Sequence, residues 1–360
     1  MNSNRLIIFL IIVSAMIGCR RNPASFMAFD DVDYVLSVEN RLSLDAGKVV
    51  ELDRIGVRDI FICDSLVFIS TPDADGLISV YGIPGFEYYG KFFYKGNGPR
   101  ELLFPPFFGN VKVLRSESGR NMLVEDGRGK VLSWDVSTPF RTRSHDIDIY
   151  KDSLSLNSFY SIYVNDSTFM CREISGDRSR QERYLLVDGR RKTVPSMEIL
   201  NKAEIPVKGD GYLFNILSSF SAYDAKHDRV VEASIMLNTI NVYSLYGNFE
   251  KTICLGKSLD NISDVCHSGL KGLRETFVRL RLYDDFFAVM YSGGKNIRND
   301  DKDLPNPKIY IFDWDCNPLV ELLLPEPASV FDIDFHSGEL YTLDRSEEII
   351  RKYNVKEVID

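Results

Sequence analysis

Apolar residues recur along this chain in short alternating runs that end on a bulky side chain. The clearest are Ile78-Ser79-Val80-Tyr81, Val131-Leu132-Ser133-Trp134, Ile240-Asn241-Val242-Tyr243 and Ile309-Tyr310-Ile311-Phe312. Weaker copies stand at Tyr184-Leu185-Leu186-Val187 and Ile350-Arg351-Lys352-Tyr353. Apolar and β-branched runs bounded by polar turns read as strands. The six copies are separated by 41 to 69 residues, and a period of that size belongs to arrays or closed rings of one supersecondary unit. A second feature keeps phase with the first: Asp64-Ser65, Ser118-Gly119, Asp166-Ser167, His227-Asp228, Asp284-Asp285 and Ser337-Gly338 are hairpin turns by residue type. In four of the six units the turn lies 15 or 16 residues before the bulky residue.

Further turns follow several of the bulky positions, at Gly82 to Gly85, Tyr246-Gly247-Asn248 and Asp315 to Pro318. Each unit therefore supplies four strands, a to d, and the fold predicted is all-β: a six-bladed β-propeller with four-stranded antiparallel blades. Only seven residues follow Tyr353, so the last blade needs its outer strand from the N-terminal run around Tyr34 to Leu52, which would close the ring and cover an exposed sheet edge. Two stacked β-sandwiches are the alternative, but they give no reason for six copies in phase.

Arg5 precedes thirteen mostly apolar residues, Leu6 to Gly18. A helix of that length spans roughly 20 Å, short of the roughly 30 Å bilayer core, so it reads as a signal-peptide core and not as a membrane span. Met16-Ile17-Gly18-Cys19 resembles a bacterial lipobox, which makes Cys19 the expected lipid-attachment residue and the mature N-terminus. The other reading is an ordinary secretory signal cut after Val13-Ser14-Ala15 or Gly18. The expected organisation is a signal peptide over 1–18, a short tether over 19–31 and the propeller over 32–360. The remaining cysteines, Cys63, Cys171, Cys254, Cys266 and Cys316, are odd in number and form no CxxC pair, which reads as small buried hydrophobes.

With a net charge of -9 and no basic stripe interleaved with aromatics, the chain lacks the electrostatic footprint of a nucleic-acid binder. No G-x-S-x-G elbow, H-E-x-x-H or Gly-rich phosphate loop occurs. His145, His227, His267 and His336 are far apart in sequence and two of them sit in predicted turns, so no catalytic residue, metal ligand or cofactor is assigned.

Three stretches carry a family likeness: Gly96-Asn97-Gly98-Pro99-Arg100-Glu101, Tyr291-Ser292-Gly293-Gly294-Lys295, and Ile311 to Pro318 with Gly338-Glu339-Leu340-Tyr341. On these the chain resembles the six-bladed propeller lipoproteins of Bacteroidetes described as TolB-like. Cys316 departs from the pattern, standing where the turn usually holds glycine. The resemblance implies the fold and a lipid-anchored place in the cell envelope, and no particular activity. No acidic run of the kind associated with surface export follows Cys19, so an outer-membrane position facing the periplasm is expected.

By topology the a–b and c–d turns share one face of the disk, while b–c loops and blade-to-blade connections share the other. The Gly96 to Glu101 connection and a long polar loop, Ser292 to Pro307, both fall on the second face, which nominates Asn97, Arg100, Glu101 and Lys295 as ligand-binding residues. The bland reading of the first loop is a tight turn in which Gly96 and Gly98 take positive φ and Arg100 pairs with a nearby carboxylate. Two functions from different classes follow. One is a membrane-anchored propeller that binds an unknown peptide, glycan or protein partner. The other is a hydrolase or lyase using channel carboxylates, with or without a metal; it would require three or more inward-facing acidic or histidine side chains close together.

Overall fold

The computed structural model describes residues 22–52, 56–109, 111–117, 119–126, 129–137, 147–152, 154, 158–206, 213–269, 273–296 and 306–359. The expected signal segment, Cys19 and the 297–305 part of the long polar loop lie outside them. Three short strands come first: β1 (Val32–Val35), β2 (Arg41–Ser43) and β3 (Lys48–Val50). Blade 1 follows as β4 (Asp59–Cys63), β5 (Leu66–Ser70), β6 (Ile78–Gly82) and β7 (Glu87–Phe92). Blade 2 is β8 (Lys112–Ser116), β9 (Gly119–Glu125), β10 (Val131–Asp135) and β11 (Ile147–Lys151). Blade 3 is β12 (Ser158–Asn165), β13 (Thr168–Ile174), β14 (Gln181–Val187) and β15 (Arg190–Lys192). Blade 4 is β16 (Ser219–Asp224), β17 (Arg229–Ser234), β18 (Thr239–Tyr243) and β19 (Glu250–Leu255). Blade 5 is β20 (Arg274–Leu282), β21 (Phe286–Asn296), β22 (Lys308–Asp313) and β23 (Pro318–Leu323). Blade 6 is β24 (Val330–Asp334), β25 (Glu339–Asp344) and β26 (Ile349–Asn354), completed by β3.

The six-bladed propeller is thus the fold, and each bulky residue of the repeat lies in the third strand of its blade. The middle strands are the most apolar because neighbouring blades cover both their faces; every residue of β5, β6 and β18 is buried. Outer strands meet water on one side, and β15 is exposed throughout. Five of the predicted hairpin turns join first and second strands; the sixth includes Ser118, which lies outside the described residues. Cys316 takes φ 72°, the left-handed conformation that a glycine adopts easily, while its side chain is buried.

The N-terminal run does more than close the ring. It adds β1 parallel to β19 on blade 4, then β2 parallel to β23 on blade 5, and only then pairs β3 antiparallel to β26. Three sheet edges are covered in succession by one strap. Upstream of the strap, helix α1 (Pro23–Phe26) packs near α2 (Pro195–Leu200) and α3 (Ile262–His267). Met27 and Phe29 are fully buried; the Phe29 N–H donates to Thr252 Oγ1 at 2.8 Å, and the Met27 carbonyl accepts from Asn241 Nδ2 at 2.9 Å. The packed body therefore begins within the stretch expected to be a tether, because this apolar segment fills a gap beside Tyr243, whose ring lies edge-on to Phe29 at 5.9 Å.

The long loop of blade 5 also starts later than expected. Ser292 to Asn296 continue β21, with Lys295 opposite Glu275 and Asn296 opposite Arg274, because the nine-residue β20 offers its first backbone groups to a longer hairpin.

Candidate functional site

The first strands of the blades surround the axis, and four charged residues from three of them meet there. Asp59 of β4, Arg279 and Arg281 of β20 and Asp332 of β24 are all nearly inaccessible. Arg279 ion-pairs with Asp59, and its guanidinium carbon lies 4.6 Å from the centre of the Phe107 ring. Arg281 donates to three carbonyls, Ile60 at 2.7 Å, Phe108 at 3.1 Å and Phe331 at 3.2 Å, and its Nε lies 3.4 Å from Asp332 Oδ2. Asp332 also accepts the Ile62 N–H at 2.9 Å and the Tyr283 hydroxyl at 3.0 Å. One arginine thus ties blade 5 to blades 6 and 1 and to the connection entering blade 2. Burial pushes the Asp332 carboxyl up while Arg281 pulls it down. Burial likewise lowers Arg279 to about 10, with Asp59 pulling it back up.

Above this network the axis opens as a funnel of about 680 Å³ on the face that carries the a–b hairpin turns. Five aromatic rings contribute to its wall. Phe61 and Phe108 lie 5.9 Å apart by ring centres, and Phe335 sits 5.0 Å from Tyr283 and 5.8 Å from Phe286. Phe335 remains 47% exposed. Charged groups also line the funnel: Asp64, Lys112 and Arg115 from blades 1 and 2, and Asp284, Asp285 and Asp334 from blades 5 and 6. Lys112 is held below the usual lysine range by burial, opposed by the fields of Asp224 and Asp284. Cys63 also lines the wall, but burial and then Asp64 push its thiol up to about 12, which keeps it protonated and a poor nucleophile. Among the described residues no group of three or more His, Cys, Asp or Glu side chains is arranged to hold a metal ion. His227 is held by Asp224 at 2.8 Å and stacks on Trp314, ring centres 4.7 Å apart.

The residues nominated from the sequence lie elsewhere. Asn97, Arg100 and Glu101 share the connection from β7 to β8, on the b–c face, where Lys130 Nζ donates to the carbonyls of Gly98 at 2.9 Å and Glu101 at 3.1 Å. Glu101 turns back into its own loop and accepts the Gly98 N–H at 2.7 Å. Neither Gly96 nor Gly98 has positive φ. The two glycines make room for the Glu101 carboxylate: a Cβ on Gly96 would stand 2.0 Å from Glu101 Oε2, and one on Gly98 2.8 Å from Glu101 Cδ, so either would push that side chain aside. Arg100 does pair with a carboxylate, Asp148 on the outer strand β11 at 3.3 Å, and both side chains are largely exposed. Lys295 belongs to β21 of blade 5. The connection between blades 1 and 2 therefore holds the first three residues, none of which lines the funnel, and blade 5, across the ring, holds the fourth.

Sequence reading missed Asp59, Lys112, Arg281 and Asp332. A signal for the arginines was present: Arg279-Leu280-Arg281-Leu282 alternates two charges with two leucines, which on a strand puts both arginines on one face.

No protein-family model matches the chain, and no curated protein matches it. Among solved structures it is similar to a candidate exported protein of Bacteroides fragilis, at 11% identity and TM-score 0.48 over 89% of this chain and 98% of that one. A member of the DUF4221 family from Bacteroides vulgatus gives 11% identity and TM-score 0.48, covering 86% of this chain and 94% of that one. Raptor of Chaetomium thermophilum gives 11% identity and TM-score 0.47 over 87% of this chain, which spans only 29% of that protein. Likenesses at this level concern fold at most, and no function passes across them.

Proposed function

We propose that this chain is a ligand-binding propeller of the cell envelope, anchored through an acylated Cys19 at the outer membrane, that takes its ligand into the funnel on the hairpin-turn face. The funnel itself carries the reading: a cavity of about 680 Å³ whose wall mixes aromatic, aliphatic and charged side chains above a floor of buried, hydrogen-bonded charges. Ligand sites are typically concave, mostly apolar and furnished with a few placed polar groups, in the range of roughly 300 to 1,000 Å³. The b–c face, with Asn97, Arg100, Glu101 and Lys295, offers a self-bonded loop and an exposed ion pair, which suit a structural connection.

The test uses the neutral fluorescent probe N-phenyl-1-naphthylamine. Its emission should rise with saturable binding to the wild-type mature protein. Phe335→Ala should weaken binding by about three- to tenfold, because an aromatic pair adds roughly 0.5 to 1.5 kcal/mol beyond its buried area. Leu319→Ala, at an exposed apolar residue outside the funnel, should leave it unchanged. Equal loss in both variants, or no saturable binding, refutes the site. Independently, Cys19→Ser should move the protein out of the membrane fraction and end fatty-acid labelling; retention of both refutes the anchor.

A further inference from the structure

The charges of the funnel mouth are sorted by blade. On blades 1 and 2, Asp64 is answered twice, by Arg115 at 3.2 Å and by Arg120 at 2.9 Å, and Lys112 adds a third cation, so this wall is positive. On blades 5 and 6, Asp284 and Asp285 face the same space, Asp334 lies in the wall with its oxygens accepting from the His336 N–H and the Ser337 hydroxyl, and the nearby cation Lys226 reaches Asp285 at 3.6 Å, so this wall is negative. In a ring of six, blade 5 stands opposite blade 2. Among the described residues the Lys112 ammonium and the Asp284 carboxylate make no hydrogen bond or ion pair. Lys112 nonetheless lies in the fields of Asp224 and Asp284.

An anion alone would leave Asp284 and Asp285 facing it, and a cation alone would leave half-buried Lys112 balanced only by the fields of Asp224 and Asp284. A ligand carrying both charges neutralises both walls at once, while the Phe61, Phe108 and Phe335 rings receive an apolar or aromatic group between them. A cavity of about 680 Å³ is too small for a folded partner and suits a molecule of a few residues. Resting on the funnel reading above, we propose that the funnel binds a short zwitterionic peptide with an aromatic side chain, its carboxylate at Lys112 and its ammonium at Asp284.

Phenylalanylglycine, its N-acetyl derivative and its C-terminal amide separate the two ends in competition against bound N-phenyl-1-naphthylamine. Capping either end should weaken displacement about tenfold or more, the scale of one charged hydrogen bond. Lys112→Met should make the protein indifferent to amidation while acetylation still weakens binding, and Asp284→Asn should do the reverse. The wild-type series needs no variant, so the proposal stays testable should a variant fold poorly. If the neutral probe binds but the three peptides compete equally, the funnel stands and the zwitterion reading falls. Better displacement by a neutral oligosaccharide than by any peptide also overturns it. If neither probe nor peptide binds the wild type, both readings fall.

Discussion

Replacing Arg281 by methionine removes the guanidinium that joins three blades and keeps most of the apolar stem in place. Three carbonyls lose a charged donor, at Ile60, Phe108 and Phe331, and Asp332, only 2% exposed, loses the cation 3.4 Å away. Charged hydrogen bonds contribute roughly 1.5 to 3 kcal/mol each, but they are not additive within one group. Removing one partner of a buried pair costs about 3 to 5 kcal/mol, and that is the loss expected near neutral pH. The pH dependence provides the sharper check. Burial already pushes the Asp332 carboxyl up, and Arg281 is the principal opposing influence, so the variant's Asp332 should titrate higher still. An acid whose folded pKa exceeds its unfolded value of about 3.9 holds a proton in the folded state that the unfolded chain has released, so stability rises as pH falls through the folded value. The deficit relative to wild type should therefore shrink between neutral pH and about pH 5. Urea unfolding followed by the fluorescence of Trp134 and Trp314, both buried, measures it at each pH. Asp332→Asn added to Arg281→Met should restore part of the loss and remove the extra pH dependence. A deficit below about 1 kcal/mol, or one equal at both pH values, refutes the floor as described.

Two further changes test other parts of the fold. Glu232 pairs with Arg172 at 2.9 Å and Arg183 at 2.8 Å and accepts the Tyr243 hydroxyl at 2.8 Å, so Glu232→Gln should cost about 3 to 5 kcal/mol in urea unfolding near neutral pH. Burial raises its carboxyl, but Arg183 and Arg172 prevail and hold it below the usual range; its stabilisation is therefore complete above an unfolded value of about 4.3 and fades as pH falls through the folded value, closing the gap between variant and wild type in strong acid. Gly96→Ala should destabilise by about 1 to 3 kcal/mol by driving the Glu101 carboxylate off the Gly98 N–H, and Glu101→Ala combined with it should be no worse than Glu101→Ala alone. Additive losses would show that the glycine serves some other purpose.

The repeat was legible in the sequence because propeller strands are local. Tyr81, Trp134, Tyr243 and Phe312 stand in the third strands of their blades, and turns such as Asp64-Ser65 and Asp284-Asp285 need only their own residue types to form hairpins. Closure by the N-terminal run was legible for a similar reason, since a blade of three strands leaves an edge that something must pair. Cys63, Cys171, Cys254, Cys266 and Cys316 are free and buried, as their spacing indicated. The funnel was not legible. Lys112, Arg281, Asp332 and Phe335 stand in three blades, and their meeting depends on how the first strands of a closed ring converge on one axis. For the same reason the glycine-rich loop misled: Gly96 and Gly98 read as turn residues from local composition, whereas their need for hydrogen in place of a side chain comes from where the Glu101 carboxylate folds. Period and turn chemistry act over a few residues and so determine the blades, but the sorting of charge across the funnel arises only when residues hundreds of positions apart share one cavity.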